Sequence, residues 1–150
     1  MKLYDDKHCL KVRTADDIFQ AMDVTDKIAT HMGFLHYDRL FLRLVTEEAC
    51  MNAYEYCQHT NQSGFFTCWD KSQQNILTIF TKHKGKKYNI SLFANEVNHS
   101  LRGRGLQLIV NLMDHVHLEE NGGYVKLVMQ KYMNNFIQPE EAGFYDLYFQ

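Results

Sequence analysis

One long apolar stretch constrains the fold of this chain more than any other feature. Residues 37–57 follow a helical pattern, and their apolar side chains fall on more than one stripe of that helix: Leu40, Phe41, Leu42, Leu44, Val45, Ala49 and Ala53. A helix that is apolar on more than one stripe packs against neighbours on two sides. The stretch therefore predicts a central helix within a domain that also contains other layers.

The same stretch carries two polar residues at helical spacing. Glu48 and Asn52 are four residues apart, so they project from one face of the helix, one turn from each other. A carboxylate can take a proton, and a carboxamide offers a neutral oxygen to a hard cation. Phe41 and Val45 precede the pair on that face, which predicts an apolar groove that ends at two polar groups.

A second segment combines glycines, arginines and the start of a helix. Gly103 and Gly105 alternate with Arg102 and Arg104, and an apolar helix follows from Leu106 towards Asp114. Glycines let the backbone approach a ligand closely, and the first N–H groups of a helix have no partner within the helix. Such a helix start favours a phosphate group, and the arginines add positive charge.

Together, residues 48–53 (Glu-Ala-Cys-Met-Asn-Ala) and 103–114 resemble the N-box and the second glycine box of the Bergerat-fold (GHKL) ATPase superfamily. The likeness is greatest to its anti-sigma-factor serine/threonine kinases, which are small bacterial switch proteins, and it spans roughly residues 10–131. This resemblance implies binding of ATP and Mg²⁺, with Asn52 as the metal ligand and Glu48 as the general base. It places the phosphates against Arg102, Gly103, Arg104, Gly105 and Leu106.

The family's first glycine box is different in this chain. In the family it holds an aspartate that accepts a hydrogen bond from the adenine amino group, followed by spaced glycines. The corresponding residues 91–97 contain neither, and Ala94 or Asn95 takes the place of the aspartate. The carbonyl oxygen of Asn95 can still accept one hydrogen bond, whereas Ala94 cannot.

Two functions from different classes stay open at this point. The resemblance implies a kinase that binds a sigma factor and phosphorylates a serine or threonine of an anti-anti-sigma-type partner. It also allows for a homodimer. The altered first glycine box fits a protein-interaction module that keeps the fold without nucleotide. A third interpretation, the catalytic domain of a sensor histidine kinase, would require a phosphoacceptor-histidine hairpin before the domain, and we do not expect one.

Composition narrows the classes of partner and the compartment. The formal net charge is -2 at pH 7, which gives no electrostatic basis for nucleic acid or an anionic membrane as the main partner. No apolar run approaches the ~20 residues of a membrane span. The cysteines Cys9, Cys50, Cys57 and Cys68 form no Cys-x-x-Cys pair, so we expect reduced thiols in a cytoplasmic protein. His115 and His117 lack a third metal ligand at a recognisable spacing.

The remaining patterns predict an α+β fold: a two-layer sandwich of a mixed, mainly antiparallel sheet with helices on one face. Strands are expected at residues 8–13, 65–69, 76–81 and 88–93, with a hairpin turn at 84–87, and a terminal hairpin turns at Asn121-Gly122-Gly123. Helices are expected from Thr14 to Gly33, and from Gly105 to His115. The resemblance implies that residues 1–133 form one histidine-kinase-like ATPase domain. Residues 134–150 form a tail whose last four residues match a protease-cleavage tag.

Overall fold

The computed structural model describes residues 6–86 and 104–133 of the chain. Three helices and five strands follow one another in these residues. In chain order they are β1 (Lys7–Val12), α1 (Ala15–Met32), α2 (His36–His59), β2 (Phe65–Asp70), β3 (Ile76–Lys84), α3 (Arg104–Leu112), β4 (His115–Asn121) and β5 (Tyr124–Tyr132). None of the helices among these residues is long and apolar enough to cross a membrane.

The five strands form one sheet in the order β1-β2-β3-β5-β4, and every pairing between them is antiparallel. Side chains alternate between the two faces of a strand. The inner face, on which the helices pack, carries the buried residues Val12, Phe65, Thr67, Trp69, Leu77, Ile79, Thr81, Val125 and Met129. The predicted α+β sandwich is confirmed, and its described part is antiparallel throughout.

The ends of α1 are set by its own sequence, as predicted. The Thr14 side chain accepts from the Asp17 backbone N–H, and the Asp17 carboxylate accepts from the Thr14 N–H in return. This reciprocal capping box satisfies N–H groups that a helix start leaves without partners. The Arg13 backbone N–H donates to the same carboxylate, and this hydrogen bond together with that from the Thr14 N–H holds the pKa of Asp17 below its usual value. Gly33 ends the helix in the left-handed conformation (φ 98°), which a glycine adopts without steric cost.

Helix α2 lies between α1 and α3 and covers β2 and β3, so the predicted packing on two sides is confirmed. Leu42, Val45, Ala49 and Ala53 are buried in the core. Its N-terminal turns differ from the prediction, because Phe41 is 39% exposed. Val45 turns into the core instead of lining a groove with Phe41.

The predicted ends of β3 and α3 are both wrong, because hydrogen bonds within the sheet decide where these elements end. Strand β3 continues to Lys84 and pairs with β2 on one edge and with β5 on the other. The partner strand that was predicted for this hairpin, at residues 88–93, lies outside the described residues. Helix α3 ends at Leu112 rather than His115, because the Asp114 backbone N–H already donates to the Gln130 carbonyl of the sheet.

The expectation of four reduced thiols is also wrong. Cys9 and Cys68 are direct cross-strand partners of β1 and β2, their Cα atoms are 4.0 Å apart, and their sulfurs form a disulfide. The strand register brings the two residues together although 59 positions separate them in the chain. Cys50 and Cys57 are free and buried in α2, as expected of core thiols.

Candidate functional site

The face of α2 that carries Glu48 and Asn52 meets the first turn of α3. Both side chains are half-buried, and Gly105 is buried at the second position of α3. A Cβ atom added at Gly105 would fall on the Glu48 carboxylate, with the Glu48 side chain as its nearest neighbour. The two segments that the sequence singled out, separated by about fifty residues, therefore touch at this point.

The amide of Asn52 has an unmet hydrogen-bonding need. Its Nδ2 is buried and has no hydrogen-bond partner within the described ranges. Buried polar groups are nearly always paired, so an acceptor bound at this face of α2 would satisfy Nδ2. An anionic oxygen would satisfy Nδ2, and the amide Oδ1 is an oxygen of the kind that Mg²⁺ prefers.

The position of α3 is fixed by packing in the core and by hydrogen bonds at its C-terminal end. Ile109 and Met113 are buried in the core, and half-buried Leu106 and Leu112 pack against it. Lys131 Nζ donates to the Leu112 carbonyl oxygen at 3.1 Å, close to the C-terminal end of the helix dipole. The Asp114 carboxylate accepts from the Tyr132 N–H at 2.7 Å. These contacts orient the helix so that its N-terminus lies against α2.

Beneath the site, a buried chain of hydrogen bonds joins α1, α2 and β2. Trp69 Nε1 donates to Thr25 Oγ1 at 2.9 Å, and Thr25 and Thr46 share a hydrogen bond of 2.8 Å. Thr46 Oγ1 in turn donates to the Leu42 carbonyl at 2.7 Å, so Thr25 is the donor to Thr46. The hydroxyls of Thr25 and Thr46 therefore both have hydrogen-bond partners, and this network fixes the distance between α2 and the sheet.

The two thiols near the site are unsuited to nucleophilic chemistry. Burial raises the pKa of Cys50 to about 12, although its hydrogen bond with the Thr67 hydroxyl opposes that shift. Burial likewise raises the pKa of Cys57 to about 11, partly offset by the charge of Lys11. The thiolate is the reactive form, so both cysteines are inert at neutral pH.

The described residues fit the phosphate and metal parts of a nucleotide site. They provide a carboxylate, a carboxamide with a buried unpartnered N–H, and a helix start without side-chain bulk at Gly105. Unpaired N–H groups of a helix N-terminus and its dipole favour an anion at this position. The donor set is therefore of the type that holds Mg²⁺ and phosphate oxygens.

The predicted site residues fall into three groups. Glu48 meets Gly105, and Asn52 lies one turn further along α2, whereas half-buried Leu106 packs against the core. Arg104 is the first residue of α3. Arg102, Gly103 and Asn95, the residues predicted for the phosphates and the adenine, lie outside the described residues. From the sequence, Gly105 was assigned only to the phosphates, and its contact with Glu48 was missed. The available signal for that contact was the presence of a glycine at the start of a helix.

The His115-x-His117 pair takes part in a surface contact on the other side of the sheet. His117 Nε2 lies 2.9 Å from Glu119 Oε1, and the rings of His115 and His117 are 4.9 Å apart. No group of three or more histidine, cysteine or acidic side chains able to hold a metal occurs in residues 6–86 and 104–133.

Comparison with protein families matches residues 12–131 to the histidine kinase-like ATPase domain. The match covers most of the chain, including both segments of the site. The chain belongs to this family.

One curated protein and one solved structure are similar to this histidine kinase-like ATPase domain. It is similar to the serine-protein kinase RsbW of Bacillus velezensis, with 25% identity over 117 residues that cover 71% of this chain and 72% of that protein. Its fold is similar to a chain in the crystal structure of the SiaB-SiaC complex from Pseudomonas aeruginosa. That superposition has a TM-score of 0.62 at 10% identity, and covers 82% of this chain and 88% of the other.

Proposed function

We propose that this protein is an anti-sigma-factor-like regulatory kinase, which binds Mg-ATP and phosphorylates a serine or threonine of an anti-anti-sigma-type protein partner. The observation that carries the proposal is the meeting of Glu48 with the start of α3 at Gly105, one helical turn from the unpartnered amide of Asn52. Family membership and the similarity to the serine-protein kinase RsbW support the same reaction class.

Each residue of the site has a distinct task in this proposal. Asn52 would hold Mg²⁺ through Oδ1 and donate from Nδ2 to a phosphate oxygen. The N–H groups at the start of α3 stabilise the negative charge of the phosphates. Glu48 accepts the proton of the hydroxyl on the partner protein. Gly105 leaves the space that the Glu48 carboxylate needs beside that helix start.

Bound Mg-ATP would supply the transferable phosphoryl group with part of its charge neutralised. Phosphoryl transfer depends mostly on positioning and on electrostatic stabilisation, so a base, a metal ligand and a helix start are sufficient contributions from the protein. The packing of α3 against α2 provides this positioning, because Ile109 and Met113 anchor it in the core.

Phosphotransfer with γ-labelled ATP tests this function. The full chain is incubated with a cell extract that lacks it, and phosphoserine and phosphothreonine products are identified by mass spectrometry. We expect Glu48→Gln to bind Mg-ATP like the wild type and to lose at least ~100-fold of the transfer rate, because a general base contributes about 10²–10⁴-fold. The matched control, Glu47→Gln, changes the neighbouring carboxylate of α2 and should retain activity. Equal activity of Glu48→Gln would refute the assigned role.

A second function is favoured by one feature of the sequence. Residues 91–97 contain neither the aspartate nor the glycines of the family's first glycine box. Losing a charged acceptor for a buried amino group costs about 1–3 kcal/mol, which is roughly ten- to a hundredfold in affinity. The alternative is a protein-interaction module without nucleotide. It predicts partner binding that does not respond to ATP or to Asn52→Ala.

A further inference from the structure

The face of the sheet opposite the helices, which we call the outer face, is ordered into rows by the strand register. One row crosses all five strands and contains three lysines. Its members, from β1 to β4, are Lys11, Phe66, Lys82, Lys126 and Glu119. Like charges directly opposite each other are destabilising, so Lys82 beside Lys126 is an arrangement that favours an anion bound across the row.

Aromatic rings hold the three lysine side chains against the sheet. Each Nζ lies over a ring, at 4.7 Å for Lys11 and Phe66, 4.8 Å for Lys82 and Tyr124, and 4.6 Å for Lys126 and Phe80. Within the described ranges none of these lysines forms an ion pair, and Glu119 at the end of the row bonds His117 instead. The cations are therefore positioned but not neutralised by these residues.

The neighbouring row is apolar. It consists of the Cys9–Cys68 disulfide, Phe80 and Val128, and ends at His117. Over it lies an open groove of ≈ 230 Å³. Its lining is apolar or uncharged at Phe80, Val128, Thr78, Gln73 and Gln130, and it also includes His117, Lys126 and the carboxylates of Glu119 and Asp70. Phe66, in the lysine row, is 40% exposed. An occupant that complements this face carries both carboxylates and apolar or aromatic side chains.

We propose that residues 134–146 of the same chain bind the outer face. This segment contains Glu140, Glu141 and Asp146 but no lysine or arginine, so its three carboxylates match the three lysines in number and sign. It also contains the aromatic residues Phe136, Phe144 and Tyr145 and the aliphatic Ile137, which suit the apolar row. Both requirements of the face are met by one segment.

The position of the segment allows this contact. It follows β5, whose last residue, Tyr132, is on the outer face and 44% exposed. The lysine row at Lys126 lies six residues back along the strand, about 20 Å from Tyr132. Glu140 follows Tyr132 by eight residues, which span up to about 26–29 Å when extended. A segment that turns back over the sheet therefore reaches the row, and its covalent link gives it a high effective concentration.

The first test compares amide NMR spectra of the full chain with those of the triple variant E140Q/E141Q/D146N. All three changes lie in the segment, so the fold of the sheet is not at risk. We expect the amide signals of Lys82, Lys126 and Val128 to shift in the variant and to move in the same direction when salt is added to the wild type. The control, Asp16→Asn, changes an exposed carboxylate on α1 and should leave these signals in place. Shifts confined to the segment would overturn the proposal.

The second test identifies the occupant. Carbodiimide cross-linking is applied to an equal mixture of ¹⁴N- and ¹⁵N-labelled full chain. We expect cross-links between Lys82 or Lys126 and the acids of the segment within one isotope, and at least a tenfold lower yield in the triple variant. Mixed-isotope cross-links would assign the face to a second copy of the chain and overturn the proposal. So would the absence of any cross-link from these lysines to the segment.

Discussion

At the scale of single residues, the buried amide of Asn52 gives the main support for the proposed ligand site. Its buried Nδ2 has no acceptor in the part of the chain that the structure describes. Leaving a buried donor unpaired costs about 1–3 kcal/mol, a cost that a bound anion would remove. Glu48, four residues earlier, lies against Gly105, so any ligand of Asn52 at this face is also near the start of α3.

Gly105→Ala tests whether this close approach matters. In a helix, alanine is favoured over glycine by about 0.5–1 kcal/mol, so a glycine without a role there should gain stability from the change. Here the added methyl group would displace the Glu48 carboxylate. We expect the affinity for Mg-ATP to fall about tenfold, measured by calorimetry, while Gln107→Ala on the exposed side of the same helix has no effect. A higher melting temperature with unchanged affinity would show that Gly105 is an ordinary helical residue.

His83 makes stability depend on pH. It is 7% exposed, and burial lowers the pKa of its imidazole although the hydrogen bond of Nδ1 with the Lys84 carbonyl oxygen opposes the shift. Below pH ~6.5 the unfolded chain binds a proton at this residue before the folded chain does. The free energy of unfolding should therefore fall as pH drops below ~6.5, by up to about 1.4 kcal/mol per pH unit until the folded imidazole titrates.

Urea denaturation at several pH values between 7.5 and 5 measures this effect. His83→Phe should remove its part of the pH dependence, so that the difference between wild type and variant changes with pH. His115→Gln, a change at an exposed histidine, serves as the control. Parallel curves for wild type and His83→Phe would contradict the assignment.

At the scale of elements, a few polar contacts decide how the helices sit on the sheet. The chain of hydrogen bonds from Trp69 through Thr25 and Thr46 to the Leu42 carbonyl joins β2, α1 and α2. Near the C-terminal end of α3, contacts of Asp114 and Lys131 join this helix to β5. Both sets of contacts fix the elements that carry the site rather than the site residues themselves.

Thr25→Val tests the buried chain of hydrogen bonds. Valine has nearly the same shape but cannot accept from Trp69 Nε1, which would be left buried without a partner. We expect a loss of about 1–3 kcal/mol in the free energy of unfolding, measured with urea and followed by the fluorescence of Trp69. Gln20→Ala, on the exposed side of α1, should change it by about 0.5 kcal/mol or less. A similar small change for Thr25→Val would show that the network does not stabilise the fold.

At the scale of the whole molecule, local sequence determined much of what could be predicted. Thr14, Asp17 and Gly33 fix the ends of α1 through contacts within a few residues, and Gly122 and Gly123 both adopt positive φ in the turn between β4 and β5. These features need no information from the rest of the chain. The α+β class follows from the order of such elements.

What could not be predicted depends on contacts between distant segments. The disulfide between Cys9 and Cys68 follows from the register of β1 on β2, which no local pattern specifies. Strand β3 extends through Lys82, His83 and Lys84, beyond its predicted end at residue 81, because pairing with β5 outweighs local preference. For the candidate site, the resemblance pointed to residues of α2 and α3, but only the packing of the two helices shows that Gly105 accommodates Glu48.

Calorimetric titration of the full chain with ATP, with and without Mg²⁺, tests most directly whether α2 and α3 form a nucleotide site. The wild type is compared with Asn52→Ala and with Asn111→Ala, the same substitution at an exposed position of α3. We predict Mg²⁺-dependent binding by the wild type and by Asn111→Ala, and at least a tenfold weaker affinity for Asn52→Ala. Absence of binding by the folded wild type, or equal affinity for Asn52→Ala, would contradict the account.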